Sequence, residues 1–184
     1  FIDRGRQNQK VIFLIRNMID QGVAFAVMGN HELNAIYFHS LDPQTQLPLR
    51  VHTWKNIEQH NSFLEEFPLN NHETNETINW FCSLPLFIEF SSFRVVHACW
   101  TKQAITFLRT LNDDGIFSRN FYIENNSKKN SAYFAVELLT KGPEARLPDN
   151  SFFIDKTGVR RFWTRLAWWR YEAMSWRDLS LSVP

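Results

Sequence analysis

Three short strings hold side chains whose types and order suit chemistry. Asp3-Arg4-Gly5 sets a carboxylate beside a guanidinium, Gly29-Asn30-His31-Glu32 sets an amide beside an imidazole, and Val95-Val96-His97-Ala98 carries a second imidazole. An imidazole exchanges protons near neutral pH, and a nearby carboxylate favours its charged form. A guanidinium offers a planar fork that fits two oxygens of a phosphate, a geometry lysine does not copy. Oxygen and imidazole ligands suit Mn, Fe or Zn. Each string also has a plain structural reading: Asn30 as a helix N-cap, Asp3 and Arg4 as an ion pair at a strand end, and His97 as a core histidine bonded to a carbonyl. Glu32 reads as a helix-start charge and stands outside the site.

These groups can meet only if the elements between them fold back on one another. Residues 10–21 place Val11, Leu14, Ile15, Met18 and Ile19 at helical spacing, which predicts a core-facing stripe, and Gly22 supplies a left-handed stop. The uncharged run 23–28 predicts a strand covered on both faces. A helix follows over 31–40, with Asn30 as its cap. Strand, turn and helix in this order are the grammar of an α/β fold, which places ligands at strand ends. Farther on, 54–67 and 73–83 predict two helices that cap the sheet, 86–90 and 93–97 predict two strands joined at Ser91-Ser92, and a helix is expected over 102–109. Residues 111–130 read as a polar loop, 131–140 as a helix ended by Gly142-Pro143, and 151–169 as a β-hairpin interrupted by Lys156-Thr157-Gly158.

Taken in order, the strings resemble the calcineurin-like metallophosphoesterases, the superfamily that includes serine/threonine protein phosphatases and diadenosine tetraphosphatases. Its pattern runs DxH, GDxxDRG, GNHE, a strand-borne His and a late GH. The chain holds the tail of the second motif, all of the third and a match to the fourth, between Phe1 and Cys99. The resemblance implies an α/β fold in which mixed β-sheets form a sandwich flanked by helices, here incomplete. It implies hydrolysis of phosphate esters by attack of a metal-bridging hydroxide, with a pair of divalent cations as cofactors, manganese first and iron or zinc as alternatives.

Carried over residue by residue, the resemblance makes Asn30 and His97 ligands of one ion and His31 the general acid. Asp3 becomes the carboxylate that orients His31, and Arg4 the clamp on phosphate oxygens. The DxH pair and the bridging Asp of the second motif would precede Phe1, and no histidine follows His97. A domain cut at both ends is therefore expected, with weak ion binding and no turnover by this chain alone. The competing reading is a non-catalytic phosphate-binding or scaffold domain. Substrates consistent with the resemblance are a phosphoprotein, a dinucleoside polyphosphate or a small phosphomonoester.

Composition bounds the remaining choices. With 184 residues, 44% of them hydrophobic, the chain supplies one ordinary core, so a single domain over 1–184 is expected. A formal net charge of +1 argues against a nucleic-acid partner. Cys82 and Cys99 form neither a disulfide framework nor a metal knuckle, which favours a reducing, cytoplasmic setting. The apolar stretches are too short to span a bilayer, and no membrane partner is implied. His39, His52, His60 and His72 lack evident partners and read as surface or cap residues. The Trp- and Arg-rich segment 160–177 reads as hairpin packing in preference to a nucleobase-stacking surface, with Arg165 as a second phosphate contact.

Overall fold

The first helix, α1 (Asn8–Asp20), begins without a side-chain cap at Gln7. Its free amides are served from a distance: Glu66 accepts from the backbone N–H of Asn8 at 2.7 Å and of Gln9 at 3.0 Å. A carboxylate at the positive end of a helix is favourable on both hydrogen-bonding and dipole grounds. Ile12, with half-buried Ile15 and Ile19, joins the core. Val11, Leu14 and Met18, expected to face inward, are exposed. The helix carries two apolar stripes, and periodicity alone does not say which one is covered. Gly22, at φ 69°, then turns the chain out of the helix as expected.

The computed structural model describes residues 1–155 and 158–181. Its contacts divide into two compact units, Phe1–Thr140 and Lys141–Pro184. In the first unit, residues 23–28 form no strand, which corrects the expectation above. Met28 N–H donates to the carbonyl of Pro85 at 2.9 Å, whereas Val23 and Phe25 are exposed. One bond at one end does not make a ladder.

Helix α2 (Asn30–Phe38) follows directly and is the most buried element, with Leu33, Ile36 and Phe38 in the interior. Gly29, not Asn30, occupies its cap position, and Glu32 Oε2 accepts from the Gly29 N–H at 3.1 Å. Around it stand α3 (Trp54–Leu64), capped by Thr53, and α4 (His72–Cys82), capped by Asn71. Strands β1 (Phe87–Glu89) and β2 (Arg94–Val96) pair antiparallel, Ile88 opposite Val95, around the expected Ser91-Ser92 turn. Helices α5 (Lys102–Leu111) and α7 (Ser131–Lys141) fall where spacing puts them.

The expected loop over 111–130 hides a further helix, α6 (Arg119–Glu124), capped by Ser118. It has 6 residues, too few for a periodic signal. Arg119 fixes it to the end of α2 and to α4, donating to Ser40 Oγ at 2.9 Å, to Asn75 Oδ1 at 3.1 Å and to the carbonyl of His39.

The second unit nests one hairpin inside another. Strands β3 (Glu144–Arg146) and β6 (Trp163–Arg165) pair, and between them β4 (Phe153–Ile154) pairs with β5 (Arg160–Arg161). Lys156 and Thr157 of the expected interruption lie outside the described residues. A short helix, α8 (Trp176–Leu179), closes on a reciprocal Ser175 and Asp178 cap. The class is mixed α/β, with eight α-helices and three two-stranded antiparallel sheets among the described residues. Among those residues no helix is long and apolar enough to cross a membrane.

Candidate active site

The site begins at a strained turn. Asp3 has φ 68°, in the left-handed region that non-glycine residues seldom occupy. Buried Ile2 anchors the turn on one side. On the other, Asn8 Oδ1 accepts from the Asp3 N–H at 3.2 Å while Asn8 Nδ2 donates to the carbonyl of Ser62 at 2.7 Å. The Asp3 carboxylate, 2% exposed, is thereby turned inward, where each of its oxygens meets an imidazole.

One of these is the expected partner. His31 Nδ1 lies 2.8 Å from Asp3 Oδ2, and the His31 side chain is 28% exposed. The other was not expected. His60, on α3, is fully buried and places Nδ1 at 2.9 Å from Asp3 Oδ1. Behind it, His39 Nε2 lies 3.2 Å from His60 Nε2. His60 is therefore an interior group and not the surface or cap residue its isolation in sequence suggested, whereas His39, half-buried, is the C-cap of α2. A signal existed: His60, Phe63 and Phe67 recur at helical spacing, and all three are buried. His52 is likewise engaged, stacked on Phe38 at 3.8 Å with Nε2 at 2.9 Å from the Phe38 carbonyl. His72 alone of the four is exposed.

The electrostatics follow from this enclosure. Burial pushes the Asp3 carboxyl up, but hydrogen bonds from His31 and His60 outweigh it and hold the group below the ordinary carboxylate value. Burial, with the nearby His60 ring and Arg119, pushes His39 down from 6.5 to about 3. Arg50, half-buried, donates to Asn56 and Gln59 at 3.2 and 2.9 Å, and burial holds its guanidinium below the ordinary value against the opposing pull of the Asp3 charge.

The second expected pair also meets. Asn30 Oδ1 lies 3.0 Å from His97 Nε2, although 67 positions separate them. His97 stands one residue beyond β2, so the strand end and the start of α2 bring the two together. Gly29 makes the approach possible: a Cβ there would come within 2.7 Å of Glu32 Oε2 and 3.1 Å of the His97 ring. Glu32 is buried at this contact.

Arg4 is exposed and has no ion-pair partner among the described residues. Arg165 belongs to the second unit, where it faces Glu144 across the β3–β6 pair at 3.8 Å.

An oxygen and an imidazole nitrogen about 3 Å apart are spaced like neighbouring ligands of one ion, since bonds of about 2.1 Å at a right angle span that distance. Here the two are hydrogen-bonded, and the same spacing would suit two ligands of one cation once that ring nitrogen carried no proton. Among the described residues no group of three or more His, Cys, Asp or Glu could hold an ion by itself. No family model matches the chain, and neither a curated protein nor a solved structure matches it.

Proposed function

We propose that this chain belongs to a metal-dependent phosphoesterase of the calcineurin-like kind, acting on phosphate esters, with the surrounding sandwich of mixed sheets that such an enzyme uses. The observation that carries the reading is the meeting of Asp3 with His31 and of Asn30 with His97 around the start of α2. Three segments far apart in sequence supply these pairs, and each pair joins the residue types the chemistry requires.

Asn30 and His97 would hold one divalent ion of the Mn, Fe or Zn type. Such ions, when bound, supply the positive charge that draws in phosphoryl oxygens and activates water. His31 has its Nδ1 committed to Asp3, which leaves Nε2 as the ring atom able to hand a proton to the departing oxygen. Asp3 fixes the ring by occupying Nδ1, and its own charge is assured by the depressed carboxyl value. Arg4, exposed next to Asp3, is available to grip two oxygens of an incoming phosphate.

The test is turnover of p-nitrophenyl phosphate by the whole protein with Mn. His31→Asn should lower kcat by about 10²- to 10⁴-fold with little change in KM, as expected when a proton donor is lost. His72→Asn, on the exposed start of α4, should leave both unchanged. Absence of metal-dependent turnover, or equal losses from the two variants, would overturn the reading.

A further inference from the structure

Three imidazoles and one carboxylate form an unbroken line that runs through the buried His60 to the exposed edge of the site. His39 Nε2 meets His60 Nε2 at 3.2 Å, His60 Nδ1 meets Asp3 Oδ1 at 2.9 Å, and Asp3 Oδ2 meets His31 Nδ1 at 2.8 Å. We propose that His60 is a positioning residue for His31: by occupying one oxygen of Asp3 it aims the other at the His31 ring. The inference rests on the role given to His31 above and adds to it a residue that touches neither metal ligand nor substrate.

An ionised carboxylate only accepts, so both Nδ1 atoms that face Asp3 must carry protons. The contact between His60 Nε2 and His39 Nε2 takes a proton from either ring, and neither choice disturbs the proton on His60 Nδ1. The Nδ1 atoms of His60 and His31 are thereby assigned, and His31 Nε2, at the exposed end, is left for chemistry.

The His60 ring cannot turn away easily. It stacks on Phe63 at 4.8 Å and leans on Phe38 at 5.0 Å. Removing its donor would leave one oxygen of a carboxylate that is 2% exposed without a partner. Such an oxygen is costly, and the group relieves it by rotating or by admitting water, either of which releases His31 from its aim.

Two substitutions separate positioning from mere packing. Asn places an amide N–H near where imidazole has its Nδ1–H, whereas Leu fills the space without a donor. In the whole protein with Mn and p-nitrophenyl phosphate, His60→Leu should lower kcat about 10- to 100-fold with KM within about 3-fold. His60→Asn should recover kcat to within about 5-fold of the unchanged protein. A Leu variant within about 3-fold of the unchanged kcat, or an Asn variant as impaired as the Leu one, overturns the inference.

A second readout does not depend on turnover. Nitrogen-15 NMR of the histidine rings in the unmutated, metal-free protein should place the His60 proton on Nδ1, and a His60 proton found only on Nε2 overturns the inference even if the Leu variant does not fold. A protein with that Nδ1 proton but no phosphatase activity would defeat the phosphoesterase reading while leaving the placement of His60 intact.

Discussion

At the scale of single residues, the site depends on what is absent as much as on what is present. Gly29 has an ordinary backbone, φ −97°, so conformation does not demand glycine there. Space does, because a methyl group would strike the Glu32 carboxylate and the His97 ring. Gly29→Ala should therefore cost about 1–3 kcal/mol of stability, the usual penalty of overpacking, and should part Asn30 from His97. Urea denaturation reads the first effect and Mn titration the second; an unchanged midpoint with unchanged Mn affinity would count against the geometry. The pairings of Asp3 with His31 and of Asn30 with His97 were legible in the sequence because each residue sits in a short string of suggestive types. His60 was not, since a lone histidine in a polar stretch carries no such announcement. Only the fold reveals that α3 turns it toward Asp3.

At the scale of elements, the decisive contact is the one that starts α1. Glu66 closes the amides of Asn8 and Gln9. Asn8 in turn holds the turn that bears Asp3. Burial pushes the Glu66 carboxyl up, yet the amides of Gln9 and Asn8 hold it below its ordinary value. Glu66→Ala should loosen the first turn of α1 and the Asp3 turn together, seen as faster amide exchange over residues 3–12 with the α4 core unaffected. Exchange that is unchanged at residue 3 would show that the two are not linked. Helices with caps and a clear period were readable before folding, as α3, α4, α5 and α7 illustrate. The stretch 23–28 was not, because an apolar run states that a segment is hydrophobic and says nothing of whether a neighbour completes its ladder.

At the scale of the whole molecule, acid should be a specific weakness. His39 ordinarily titrates at 6.5, but in the fold it is pushed down to about 3. Between those values the unfolded chain takes up a proton that the folded chain refuses, so stability is fully present above 6.5 and declines as pH falls toward 3. The urea midpoint should be lower at pH 5 than at pH 7.5, and His39→Gln should flatten that difference. A variant with the same pH dependence as the unchanged protein would assign the loss to other groups. A mixture of helices and strands was legible from the apolar runs and turns, although the run 23–28 that opened that reading is not a strand. The division into two compact units was not read from the sequence, although the Gly142-Pro143 break beside residue 141 and the crowding of Trp and Arg beyond it were signals of it.

The left-handed turn at Asp3 has an evolutionary corollary. That position is asked for a backbone shape that few side chains tolerate and for a negative charge that only two side chains possess. Glutamate keeps the charge but is a poor fit to the turn and reaches too far; asparagine keeps the turn but forfeits the charge. Among the amino acids one nucleotide change away from an aspartate codon, none satisfies both demands. Drift at this codon has no silent exit at the level of the protein, and any lineage that loses Asp3 must give up either the turn or the charge that faces His31.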